Sequence, residues 1–96
     1  MENKFDIGQF VNTLTEQSVI NGLVERVKKK RKQMKLSQKL LSQKSGVTYA
    51  SIRRFETTGD ISLSSLLKMA HALDALKDFE GLFKGQTITN LKDYEV

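Results

Sequence analysis

Two adjacent arginines, Arg53 and Arg54, and a nearby tyrosine, Tyr49, have the side-chain chemistry to read a nucleic acid. An arginine can donate two parallel hydrogen bonds to O6 and N7 of guanine, a contact that provides about 1–3 kcal/mol of discrimination between bases. A tyrosine can stack on a sugar or touch a thymine methyl, whereas Ala50 offers methyl contact only. We therefore predict base contacts from Tyr49, Ala50, Arg53 and Arg54. Whether one of the two arginines grips a phosphate instead is left open at this point.

These side chains follow a tight turn between two short helical segments. In the first segment, Ser37 has the hydroxyl that helix N-caps prefer, and Leu40 and Leu41 supply apolar positions for a buried side. Gly46 stands where this helix must end, because glycine takes the left-handed conformation at low cost. The pattern predicts a short positioning helix over residues 37–45.

The second segment, residues 48–56, is the predicted recognition helix. Val47 packs inward before it, Thr48 can cap it, and Ile52 and Phe55 form its buried face. The predicted base-contacting side chains point away from that face. This arrangement of two short helices is one that a DNA major groove accepts.

The spacing of these residues resembles the XRE family of helix-turn-helix regulators, the class of the phage lambda repressor and Cro. The resemblance rests on the pattern Leu36-Ser37-Gln38-x-x-Leu41-x4-Gly46-Val47-Thr48-x3-Ile52-x-x-Phe55-Glu56. Ser42 and Ser45 depart from the alanine and the small apolar residue usual in the family, but both are small enough to fit. The resemblance implies an all-α, lambda-repressor-like domain of five or six helices over residues 19–83, with an N-terminal helical segment 1–18 and a C-terminal tail 84–96.

A structural ion pair is also expected. A helix beginning at Ser18 and running to Met34 carries an apolar stripe that includes Arg31, and a charged residue on such a stripe needs a partner. In the family that the sequence resembles, an arginine at this place pairs with the glutamate that ends the recognition helix, which is Glu56 here. Gln38 is similar to the family glutamine that bonds a phosphate and braces the recognition helix.

Contacts to the DNA backbone are predicted around the starts of both short helices. A helix N-terminus favours an anion because its first N–H groups are unpaired and the helix dipole is positive there. The residues expected to contact phosphates are Lys32, Lys35, Ser37, Gln38, Lys44, Thr48 and Ser51.

The distribution of charge supports a polyanionic partner. The net charge of +5 combines a basic middle, residues 21–73 with twelve Lys or Arg and three acids, with two ends that each carry −2. The basic middle coincides with the predicted helix-turn-helix. Concentrated positive charge favours double-stranded DNA through release of its counterions.

The sequence offers little for catalysis. It has no cysteine, a single histidine, His71, and no glycine-rich loop after a strand. We therefore expect no enzyme activity, no cofactor and no metal. No apolar run approaches the roughly 20 residues of a membrane span, and the first residues lack the order of a signal peptide. A cytoplasmic, nucleoid-associated protein is expected.

Both ends of the chain indicate protein contacts. Asp6 and Gln9 have the spacing of a capping box before an amphipathic helix over 7–16, which packs either on its own domain or on a second subunit. Residues 76–83 predict a fifth short helix, where related domains often form a dimer contact. The end of the chain resembles small regulators encoded beside HipA-like toxin kinases.

Two functions follow from these observations. The first is a sequence-specific transcriptional regulator, a repressor that binds a palindromic operator as a homodimer. The alternative is an antitoxin that neutralises a partner toxin and autoregulates its operon. An RNA-binding function fits the charge, but the sequence lacks a platform of stacking aromatics.

Overall fold

A computed structural model of the protein describes residues 14–85. Its elements are α1 (Glu16–Gln33), α2 (Gln38–Ser45), α3 (Tyr49–Thr58), α4 (Leu63–Ala72) and a 3₁₀ helix (Leu76–Gly81). No strand occurs within this range, and the prediction of an all-α domain is confirmed. Most of the helix predicted over 7–16 and the tail from residue 86 onward lie outside the described residues.

The start of α1 corrects the sequence-based boundary at Ser18. Thr15 is the N-cap, and its hydroxyl accepts a hydrogen bond of 3.0 Å from the Ser18 N–H. The Ser18 hydroxyl accepts in return from the Thr15 N–H, also at 3.0 Å. This reciprocal capping box begins the helix at Glu16, so Ser18 lies inside it. Leu14 and Thr15, which the prediction includes in a helix over 7–16, are not helical.

The two helices of the turn motif begin and end through local hydrogen bonds. Ser37 caps α2 by accepting from the Leu40 N–H, and Thr48 caps α3 by accepting from the Ser51 N–H. Gly46 ends α2 in the left-handed conformation, with φ of 80°.

The recognition helix is longer than predicted. It continues two residues beyond Glu56, to Thr58, and ends at Gly59, whose φ is 85°. The sequence predicts a loop over residues 57–60, with Gly59 as its turn. Thr57 and Thr58 instead complete a last helical turn, in which the Thr58 hydroxyl donates to the Arg54 carbonyl at 2.8 Å.

The core lies where α1, α2, α3 and α4 meet. Its largest fully buried side chains are Leu41, Ile52, Phe55, Met69 and Leu73. Val24 and Val47 are also buried there, and Ile20, Leu23, Val27 and Met34 pack against the cluster as the α1 stripe predicts.

Two predicted core positions are wrong. Leu40 is 47% exposed, because it lies about 100° around the helix from Leu41 and the short α2 buries only one row. Leu63 begins the stripe that the sequence predicts as the buried face of a helix capped by Ser62, which is Leu63, Leu66, Leu67, Ala70 and Leu73. It is 66% exposed at the first residue of α4. The buried row of α4 instead includes Met69, which falls between Leu66 and Leu73 at helical spacing.

The end of α3 packs closely on α1 at Gly59. A Cβ built on Gly59 would overlap Cγ2 of Ile20, whereas a Cβ on Gly46 would meet nothing within 4 Å. Both glycines have a positive φ, so the two positions share the same backbone strain and differ in the space around them.

This difference predicts unequal costs of substitution. We expect Gly46→Ala to lower the free energy of unfolding by about 1–2 kcal/mol, the cost of a side chain in the left-handed region. Gly59→Ala should cost about 2–4 kcal/mol, because the overlap with the Cγ2 methyl of Ile20 is added to that strain. Urea unfolding followed by circular dichroism measures both values, and equal losses would contradict the close packing at Gly59.

Candidate nucleic-acid interface

One face of α3 is buried in the core and the opposite face is exposed to solvent. Ile52 and Phe55 are 0% and 1% exposed. Tyr49, Ala50, Arg53 and Arg54 are all exposed on the remaining surface of the helix. The structure therefore brings the four residues predicted to contact bases onto one accessible region.

A buried ion pair connects α1 to α3. Arg31 is 8% exposed, and its Nε and Nη2 donate to the two carboxylate oxygens of Glu56 at 2.8 and 2.9 Å. Its Nη1 donates to the carbonyl of Leu36 at 2.8 Å. The guanidinium thus joins the first helix, the turn after it and the recognition helix with paired donors and acceptors.

Helix α2 joins the same network through its first residue. The side-chain amide of Gln38 donates to Glu56 Oε1 at 2.8 Å. We name Arg31, Gln38 and Glu56 the buried polar node. Burial alone raises the pKa of Glu56, but the hydrogen bonds from Arg31 and Gln38 and the charges of Arg31 and Lys28 outweigh it, so this pKa lies below its ordinary value of 4.5.

Two cations lie over the ring of Tyr49. Lys39 Nζ is 5.4 Å from the ring centroid, and Arg53 Cζ is 5.6 Å from it. Both distances allow cation–π attraction. Lys39 is absent from the predicted site residues, since nothing in the spacing of the sequence links α2 to Tyr49.

Arg54 has a different neighbour from Arg53. Its Nη2 is 2.7 Å from Oδ2 of Asp60, and the two side chains are 69% and 65% exposed. The sequence predicts Asp60 only as the last residue of the loop 57–60. The sequence signal that could have found it is an acid just beyond the C-terminal end of the recognition helix.

The three hydroxyl side chains predicted to contact phosphates, Ser37, Thr48 and Ser51, already form hydrogen bonds within the protein. Ser37 and Thr48 accept backbone N–H groups as helix caps, and Thr48 also donates to the Ser51 hydroxyl at 2.8 Å. Ser37 and Thr48 are exposed, and Ser51 is half-buried. Phosphate contacts from these residues stay predictions.

The predicted lysine contacts lie in separate places. Lys32 is exposed in the last turn of α1, and Lys35 is exposed in the turn before α2 with a φ of 59°. Lys44 lines a shallow depression with Lys68 and His71 beside α4. Lys44 therefore lies beside α4, and its phosphate contact stays a prediction.

A family model described as helix-turn-helix (HTH_3) matches residues 27–77, more than half of the 96-residue chain. The chain belongs to this helix-turn-helix family. The XRE-type resemblance of the sequence is confirmed, and the protein is a DNA-binding regulator of transcription. The family is one of regulators, which fits the expectation of a protein that is not an enzyme. No curated protein matches the chain significantly.

Among residues 14–85, no helix combines the length and the apolar character that crossing a membrane requires.

The buried polar node predicts an acid-sensitive contribution to stability. Because the folded-state pKa of Glu56 is lowered, its contribution is complete above the ordinary value near 4.5 and is lost as pH falls through the folded-state value. We expect Glu56→Gln to lower the free energy of unfolding at pH 7 by about 2–4 kcal/mol, since Arg31 loses its counter-charge. Below pH 4.5 the stability of the wild type should fall more steeply than that of the variant.

A matched control is Glu25→Gln, which removes an exposed acid from α1. Glu25 lies 3.7 Å from Lys28 and its side chain is 73% exposed, so the loss should be below about 1 kcal/mol. Chemical unfolding between pH 3 and 7 provides both comparisons. The node has no special role in stability if the two variants lose the same free energy and keep the same pH dependence.

Proposed function

We propose that this protein is a sequence-specific transcriptional repressor that reads the DNA major groove with α3. The observation that carries the proposal is the combination of an exposed, basic outer surface on α3 with the buried polar node beneath it. The node fixes the angle of α3 against α1 and α2 through hydrogen bonds of 2.8–2.9 Å. A helix held in this way can present donors to base edges in a fixed register.

The roles within the interface follow from position on α3. Tyr49 and Ala50 open the helix and would enter the groove deepest, with Arg53 and Arg54 one turn later. We add Lys39 as a contact to the DNA backbone, because its ammonium group lies over the Tyr49 ring and carries a positive charge. The proposed phosphate contacts are Lys32, Lys35, Ser37, Gln38, Lys44, Thr48 and Ser51.

The repressor is proposed to act as a homodimer on a palindromic operator, in the cytoplasm and on the nucleoid. Support comes from an apolar patch at and after the 3₁₀ helix, where Leu76, Leu82 and Phe83 are 42%, 56% and 105% exposed. We name these three residues the apolar patch. A homodimer that binds a palindromic operator must hold its two recognition helices about one turn of DNA apart.

The tail over residues 84–96 supports a second candidate, an antitoxin that binds a partner toxin. Its isolated apolar residues Ile88, Leu91 and Tyr94 are the side chains that such a contact would use. Deleting residues 84–96 should abolish toxin binding and leave DNA binding intact in this alternative. Retention of toxin binding after that deletion would count against it.

Base reading can be tested by selecting DNA from a random duplex library and repeating the selection with three variants. We expect the wild type to enrich an inverted repeat. At least one of the variants Arg53→Ala and Arg54→Ala should relax the preference at particular base pairs, by about 1–3 kcal/mol for each arginine that reads a guanine. Lys35→Ala should weaken all sequences alike and reduce the salt dependence of binding by about 0.9 in slope per subunit. Equal, sequence-blind losses from all three variants would contradict the proposed base contacts.

The dimer can be tested with a charge in the apolar patch. Phe83→Asp should yield a monomer in sedimentation experiments and leave the helical content unchanged, because Phe83 is fully exposed within the described subunit. Val19→Asp is a matched control, since Val19 is 49% exposed on α1, and it should remain dimeric. A dimeric Phe83→Asp variant, or a monomeric Val19→Asp variant, would place the subunit contact elsewhere.

A further inference from the structure

The guanidinium of Arg54 is held against a carboxylate by the local backbone. Arg54 Nη2 and Asp60 Oδ2 are 2.7 Å apart. The hydroxyl of Thr58 donates to the Arg54 carbonyl at 2.8 Å and accepts from the Asp60 N–H at 3.1 Å. The left-handed Gly59 turns the chain back between them. The carboxylate is thus positioned by the end of the recognition helix itself.

Asp60 is unusual in the basic middle of the chain. Between residues 26 and 73 the sequence contains only two acids, Glu56 and Asp60. The Glu56 side chain is 4% exposed and is neutralised by Arg31, whereas the Asp60 side chain is 65% exposed. A DNA backbone approaching Arg54 therefore meets an adjacent negative charge, which repels phosphates.

We infer that Asp60 is a specificity-determining positioning residue, because its pairing with Arg54 favours a base edge over a phosphate as the partner of that arginine. The inference rests on the proposed base reading by α3. Asp60 then acts in DNA recognition as well as in the turn after α3.

The chemistry of guanidinium allows both contacts at once. Arginine has five N–H donors in a planar fork, and the observed contact with Asp60 involves Nη2. Donors remain for O6 and N7 of a guanine, which are neutral acceptors. A phosphate brings a full negative charge beside the carboxylate and is disfavoured. The Arg54–Asp60 pair as a whole has no net charge, so it gains little from nonspecific attraction to DNA.

Arg53 provides the contrast within the same helix. Its guanidinium lies over the ring of Tyr49, and none of the ion pairs of the described residues joins it to an acid. Its charge is undiminished, and it is the arginine suited to a phosphate. The division between base and phosphate that the sequence leaves open is thereby assigned: Arg54 reads the base edge and Arg53 grips the backbone.

The test compares Asp60→Asn with the wild type as full-length chains, on the selected operator and on a random duplex. Asparagine keeps the shape of the side chain and the backbone bond to Thr58 and removes the charge. Affinity for the random duplex should rise about three- to tenfold, and its salt slope should steepen by about 0.9 per subunit as Arg54 becomes available to phosphates. Affinity for the operator should change less than about twofold, so the ratio of specific to nonspecific affinity falls by about three- to tenfold.

Asp74→Asn is the matched control for the change in net charge. Asp74 is exposed after α4, and its φ of 58° suits asparagine. This variant should leave the ratio of the two affinities unchanged. The inference is overturned if Asp60→Asn alters operator and random duplex by the same factor, as the control does.

The Arg54→Ala background separates this inference from the proposed function. There, adding Asp60→Asn should no longer lower the ratio, because the arginine that Asp60 positions is gone. Base preference unchanged by Arg54→Ala alone would overturn base reading by Arg54 and this inference together. Relaxed preference in Arg54→Ala, with no change of the ratio in Asp60→Asn, would overturn only the role of Asp60.

Discussion

The arrangement of the helices depends on a charge that has been removed from water, the guanidinium of Arg31. Burying an ion costs several kcal/mol unless its donors are matched. Here both oxygens of Glu56 and the Leu36 carbonyl accept from Arg31, and Gln38 supplies a further donor to Glu56. Because α2 buries little more than Leu41, apolar packing alone leaves it room to rotate. The hydrogen bond from Gln38 to Glu56 ties α2 to α3 and restricts that rotation. The bonds from Arg31 to Glu56 in turn hold α3 against α1, so a tilt of α3 would break several directional bonds at once.

Most of the helix-turn-helix could be predicted from the sequence because its boundaries are local. Ser37, Gly46 and Thr48 act on the next few backbone groups, and the structure places each where the spacing predicts. The α1 boundary was missed because a threonine–serine capping box lacks the usual acid or amide at its third position. The burial predicted for Leu63 was wrong because the periodicity of apolar residues identifies the buried face of a helix but not where along the helix the core ends.

The candidate site divides in the same way between local and tertiary information. The exposure of Tyr49, Arg53 and Arg54 follows from the burial of their helical neighbours, so periodicity was sufficient. Periodicity could not identify the residues that these side chains contact, Lys39 and Asp60. Lys39 reaches Tyr49 only because α2 crosses α3, and Asp60 reaches Arg54 only because α3 extends to Thr58 before the chain turns back.

The uncharged hydroxyl caps of α2 and α3 contribute less to helix stability than aspartate caps would, but they keep the helix N-termini attractive to an anion. Neither helix has an acid in its first turn, and both caps, Ser37 and Thr48, are uncharged. An aspartate caps a helix as well as a serine and adds a favourable interaction with the helix dipole. The same carboxylate would cancel the positive end that an anion needs. A lineage of this chain adapted only to heat would therefore accumulate acidic caps and lose its attraction for a polyanion.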